Sequence, residues 1–227
     1  MRPEIHVSAL ARSQLYAALA HAFCKPEELE GDEEDSLAQV LRQAAIAFDA
    51  QALGQIADAV AGSLEIPEHQ AEQALHTLEI EYNRLFVGPG RPQAPPYESV
   101  YRDPRGLVMG PAAQDVERRY AEVGLALAPD HHDLPDHVAT ELGFMAYLSM
   151  QEAEAQGEDL LAWLHREHTF LRDHLTVWLP RFCQQVQEVS RHPFYAALAE
   201  LATTFVSLDA QRIEAVLCKQ TRGGVTG

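Results

Sequence analysis

Eleven histidines and thirty-four carboxylates give the chain many groups that could bind a metal or move a proton. The densest cluster is His131, His132, Asp133, Asp136 and His137, with Glu141 one turn further on. His137 and Glu141 stand at i and i+4, so a helix there would carry both on one face. Metal chemistry in a helical protein also needs a repeated ligand spacing, and here it is missing. HExxH is absent, and no histidine follows a Glu by three residues. His165 and His168 are at i, i+3 and His174 is close to their stripe, with no acidic partner set beside them in a repeated motif. The spacing therefore argues against a bound metal and against any cofactor held this way. A metalloenzyme built on Asp136, His137 and Glu141 stands as the alternative from a different class, and a plain helical scaffold as a third.

Nucleophilic catalysis finds no better support. The only serine in an unusual setting, Ser99, lies in Glu98-Ser99-Val100 without the flanking glycines of a GxSxG elbow. Cys24, Cys183 and Cys218 sit far apart in mostly apolar helical contexts, which describes buried inert thiols and excludes a disulfide framework. Neither a Walker A loop nor GxGxxG is present. With 17 basic and 34 acidic residues the net charge is −17. That disfavours binding to nucleic acid or to an anionic membrane surface and points to a cationic partner or to solubility alone. The first ten residues lack a signal-peptide core, and no apolar run is long enough to span a bilayer, so the expected location is cytoplasmic.

The elements that must carry these groups read as helical almost throughout. From Ser8, a plausible N-cap, Leu15, Leu19, Ala22 and Phe23 share a face until Lys25-Pro26. An acidic run comes next, with seven acids between Glu27 and Asp35, and is read as a solvated loop or helix start. Residues 36–62 are Ala- and Leu-rich and helical. Pro67 opens a third helix through Leu78, Tyr82 and Phe86 to Gly88. From Gly88 to Pro111 the chain has too many Pro and Gly for a helix, and a loop that long usually has a function. Pro111 then starts a helix that Gly124 closes at C′. Asp133 and Pro135 start another, and further helices run from about Asp159 towards Ser190 and from Pro193 to about Leu217. The expected architecture is all-α: one domain over residues 1–227, a bundle of seven or more helices with one long Pro/Gly-rich loop, and a frayed tail over 219–227.

Two segments have a more particular character. Tyr82-Asn83-Arg84-Leu85-Phe86-Val87-Gly88-Pro89, followed by Pro95-Pro96-Tyr97-Glu98-Ser99-Val100-Tyr101, resembles the TorD/DmsD family of redox-enzyme maturation chaperones, relatives of NarJ. Leu134-Pro135-Asp136-His137-Val138, with Glu141-Leu142 and Phe144-Met145, is similar to that family's second signature. His168 to Leu171, His174, Trp178 to Phe182 and Phe194-Tyr195 fit its C-terminal region, so the resemblance spans roughly Ser8 to Leu217. Some members have Trp where this chain has Tyr97; its two tryptophans, Trp163 and Trp178, both come late.

The resemblance implies an all-helical cytoplasmic chaperone without catalytic activity. Its partners would be the twin-arginine leader and the apo catalytic subunit of a molybdenum-cofactor enzyme, held back from export until the cofactor is inserted. Both a monomer and a helix-swapped dimer are compatible with it. It leaves open whether a guanine nucleotide or the molybdenum cofactor binds. A twin-arginine leader is a cationic stretch followed by an apolar one, so its groove needs carboxylates at one end and apolar walls beyond. Arginine pairs bidentately with carboxylates, which makes Asp136, Glu98 and Glu141 candidate partners. Tyr82, Phe86, Tyr97 and Tyr101 are candidate walls. Pro96, Ser99, Pro135 and His137 complete the expected leader-binding set. Each has a plainer reading: Asp136 complementing a helix dipole, Pro135 at a helix N1, Glu141 buried against the loop, Tyr82 and Phe86 packed in the core.

Overall fold

The computed structural model describes residues 2–26, 39–42, 51–64, 67–129 and 133–223. Nine named helices occupy them: α1 (Arg2–Ala22), α2 (Gln51–Gly62), α3 (Ala71–Tyr82), α4 (Glu98–Arg102), α5 (Pro111–Glu122), α6 (Val138–Glu154), α7 (Glu158–Phe170), α8 (Thr176–Val189) and α9 (Pro193–Gly223). No strand occurs among the described residues; one isolated antiparallel bridge joins Tyr97 to His137. The all-α expectation holds. The acidic run at 27–35, His131 and His132 lie outside the described residues.

Helix α1 packs along α6, while α9 packs against α8 and α2. The core between them runs from Leu15 on α1 to Ile213 on α9 in one connected cluster. Its largest fully buried side chains include Trp178, Tyr16, Tyr195, Phe23, Phe170 and Phe182. No helix among the described residues is long and apolar enough to cross a membrane.

Several local expectations meet the structure directly. Pro111 sits at the start of α5, where its missing N–H costs nothing, and Gly124 comes after the helix at φ 78°, a left-handed position that glycine adopts freely. Other expectations are corrected. Helix α1 begins at Arg2, upstream of Ser8. The segment 88–111 contains a helix after all, the five-residue α4. Helix α9 continues to Gly223, so the tail expected from Lys219 is helical over 219–223, and 224–227 lie outside the described residues.

The start of α6 is also displaced. Asp133 and Pro135 precede the helix, and the N-cap is His137, whose Nδ1 accepts the Ala139 N–H at 3.2 Å. An acceptor on Nδ1 places the neutral ring's hydrogen on Nε2. Pro135 is therefore not an N1 residue, and Asp136 does not complement the dipole of α6.

Two π turns adjust the helix phases. Asn83–Val87 extends α3 to Gly88 (φ 67°), and Leu171–Leu175 joins α7 to α8 without a break in the helix. A π turn shifts the facing of the residues beyond it. The second one directs His174 inward and leaves Asp173 nearer the surface.

Candidate functional site

The two signature segments meet. The Glu98 N–H donates to the Asp136 carbonyl at 3.0 Å and the Val138 N–H to the Pro96 carbonyl at 2.9 Å, one bond on each side of the Tyr97–His137 bridge. Asp136 Oδ2 accepts the Ser99 N–H at 2.8 Å and also the Ser99 hydroxyl. Asp136 thus caps α4, a helix from the other segment, by satisfying one of its free N–H groups. Tyr97 and His137 meet edge to face at 5.3 Å, and the Tyr120 hydroxyl donates to the Pro135 carbonyl at 2.9 Å. Burial pushes the Asp136 carboxyl above its ordinary range, against the hydrogen bonds from Ser99. Burial and the nearby Asp133 raise the Tyr97 phenol to about 12.

Beneath this clasp lies a charged layer. The Glu98 carboxylate, fully buried, faces His174 Nδ1 at 2.9 Å and Arg102 Nη1 at 2.6 Å. His174 Nε2 reaches Asp115 Oδ2 at 3.0 Å, so both ring nitrogens face carboxylates. The ring stacks on Phe170 at 4.8 Å. Glu141, also fully buried, accepts the Trp178 indole N–H at 3.0 Å on Oε2, and Oε1 has no donor. Burial, then the charge of Glu98, pushes Glu141 well above the carboxylate range. Burial acts on Glu98 too, but His174 and Arg102 hold it below its ordinary value. The two neighbouring carboxyls are thus pushed in opposite directions, Glu141 up and Glu98 down.

Of the residues singled out, the structure brings eight together: Pro96, Tyr97, Glu98, Ser99, Pro135, Asp136, His137 and Glu141. Tyr82 and Phe86 are elsewhere. They lie 5.2 Å apart, ring to ring, in an aromatic core with Phe182 and Tyr195, and are only 5 % and 4 % exposed. Glu98, Asp136 and Glu141 are 0 % exposed, so in this conformation the guanidinium of a bound ligand does not reach them. Among the described residues no group of three or more His, Cys, Asp or Glu is arranged to hold a metal ion.

The surface beside the clasp is a cleft of about 660 Å³, lined by Ser99, Arg102, Asp103, Pro104, Asp115 and Asp173 among others. Asp115 ties it to the buried layer through His174. Three exposed apolar residues, Leu107, Val108 and Met109, form the tip of the loop whose two ends line the cleft, and exposed Val177 is part of its wall. Met109 is held at φ 60°, a strained position for a side chain of its size. Sequence reasoning missed Asp103, Asp115 and Asp173, because nothing in their local context distinguishes them from other surface acids.

The profile of the nitrate reductase delta subunit family matches residues 47–184, more than half of the chain and a stretch that holds both signature segments. The chain belongs to that family. Among its delta-family relatives, the chaperone protein TorD of Aliivibrio fischeri is 31% identical over 141 residues, covering 62% of this chain and 66% of that protein, just under two thirds of its length. Chaperone protein TorD of Vibrio cholerae (strain El Tor Inaba N16961) is 26% identical over 210 residues, covering 92% of this chain and 94% of that one. A crystal structure of a putative redox enzyme maturation protein from Archaeoglobus fulgidus aligns with a TM-score of 0.49 and 21% identity, covering 87% of this chain and 93% of that chain. The resemblance read from the two signatures is thus to the family that the chain belongs to, and the two TorD relatives are named as chaperones.

Proposed function

We propose that this delta-family chain is a cytoplasmic, single-domain maturation chaperone. It binds the twin-arginine leader and the apo catalytic subunit of a molybdenum-cofactor enzyme and delays export until the cofactor is in place. Membership of the family, with relatives named as chaperones, supports the coarse part of this reading. The observation that carries the finer part is the cleft beside the clasp, with three carboxylates in its lining and an apolar loop at its edge.

In this reading the leader's arginines meet Asp103, Asp115 and Asp173, and its apolar stretch lies over Leu107, Val108, Met109 and Val177. Each carboxylate is already oriented by an arginine or histidine neighbour (Arg105, His174 and Arg172), which fixes its position before a ligand arrives. The clasp supports the cleft. Asp136 and Ser99 fix α4, and Glu98 holds Arg102 at the cleft wall. Pro96 and Pro135 supply the carbonyls that tie the segments together. Tyr97 and His137 form the bridge, Glu141 anchors Trp178 below, and Tyr82 and Phe86 pack the core behind.

The test is calorimetric titration with a synthetic twin-arginine leader. Wild type should bind on the order of micromolar, and the double variant Asp115→Asn/Asp173→Asn about tenfold more weakly at equal thermal stability. Unchanged affinity in that variant would remove the cleft from the account.

A further inference from the structure

A second, smaller pocket of about 160 Å³ opens between the end of α5, the middle of α6 and the end of α7. Its floor is apolar: Val123, Phe144, Leu148 and Phe170, with the two phenyl rings edge to face at 4.8 Å. Its rim carries Arg119, His165, Arg166 and Thr169, with Glu122 as the only acid among the described residues. Glu122 is already engaged by Arg118 and Arg119.

One feature of that rim calls for an anion. Arg166 is exposed, and no carboxylate among the described residues pairs with it, although the chain has 34 acids and a net charge of −17. It lies over the Trp163 ring at 4.6 Å, which fixes the guanidinium beside the pocket. Arg119 is already committed, with Nε, Nη1 and Nη2 paired to Asp115, Glu122 and Asp173. His165 donates through Nδ1 to the Leu161 carbonyl at 2.7 Å, so the neutral ring offers only an acceptor at Nε2 and takes no part in holding the anion. Apolar cavities of roughly 150 Å³ admit one benzene ring, so a single ring or branched alkyl group matches this volume.

We propose that this pocket binds a small carboxylate carrying one aromatic or branched apolar group, with the apolar group on Phe144, Leu148 and Phe170 and the carboxylate on Arg166. Both a free organic acid and the C-terminal residue of a peptide present this chemistry. The pocket adjoins the leader cleft through Arg119, which pairs with Asp115 and Asp173, but it does not depend on the proposed function.

The experiment uses the full chain, labelled at the leucine and valine methyls, and titrates phenylacetate against benzylamine and benzyl alcohol, with N-acetylphenylalanine as the chain-terminus probe. Phenylacetate or N-acetylphenylalanine should shift the Leu148 and Val123 methyls saturably, at an affinity on the order of millimolar for so small a ligand. Tighter binding of the second identifies a chain terminus, and tighter binding of the first a free acid. Arg166→Gln should weaken binding about tenfold, since it removes a charge-assisted contact from an exposed position. Thr169→Phe, which fills the mouth, should abolish it while the remaining methyl spectrum stays folded. Equal shifts from the amine or the alcohol, or no saturable shift from either acid, would overturn the proposal.

Discussion

Asp136 accepts two hydrogen bonds from Ser99 through one buried oxygen, so its substitutions should differ in cost. Asp136→Ala leaves the Ser99 N–H and hydroxyl without an acceptor and should lower unfolding stability by about 2–3 kcal/mol. Asp136→Asn keeps an amide oxygen in the same place and should cost about half as much or less. Urea denaturation of both variants checks the order. Glu141 makes a separate prediction. Burial and Glu98 raise its folded pKa above the unfolded value, so the stability it contributes is complete below the unfolded value and is lost as pH rises through the folded one. Glu141→Gln cannot ionise and still accepts from Trp178. The variant should match wild type below about pH 4 and become the more stable of the two as pH rises above the ordinary carboxylate range. A wild-type advantage that grows with pH would contradict a protonated Glu141.

At the scale of elements, one residue ties four helices together. Arg12 of α1, 2 % exposed, pairs with Glu152 on α6, Glu167 on α7 and Asp209 on α9. The Tyr16 hydroxyl adds a bond to Asp209 at 2.8 Å. Burial pushes Glu167 well above the carboxylate range, against the attraction of Arg12. Arg12→Met should cost about 3–5 kcal/mol in a chemical melt, because it strands buried carboxylates. In the sequence Arg12 stands four positions before Tyr16 and reads as a snorkelling surface residue, so its role is not visible there. Its three partners are at least 140 positions away, and no local pattern reports such pairings. Local chemistry was legible elsewhere: Pro111 and Gly124 bound α5 as their types require. It misled at α6, where Asp133 and Pro135 look like a helix start. Asp136 instead serves Ser99, and His137, an uncommon cap, takes the N-terminus. The eight clasp residues could be singled out through the family resemblance. Their burial could not, since acids such as Glu98 and Glu141 become interior only through His174 and Trp178, far along the chain.

At the scale of the whole molecule, a net charge of −17 suits attraction of a cationic peptide, and it does not by itself choose one. The choice has to come from geometry: oriented carboxylates in a cleft that accept the flat fork of a guanidinium better than the point charge of an ammonium. A scaffold or a merely acidic surface would treat both cations alike. The most direct measurement is therefore calorimetric titration of the intact chain with two synthetic leaders that differ only in the pair, Arg-Arg in one and Lys-Lys in the other. The account predicts binding on the order of micromolar for the first and at least about tenfold weaker binding for the second. Equal affinity for the two leaders, or no binding of the Arg-Arg leader, would contradict it.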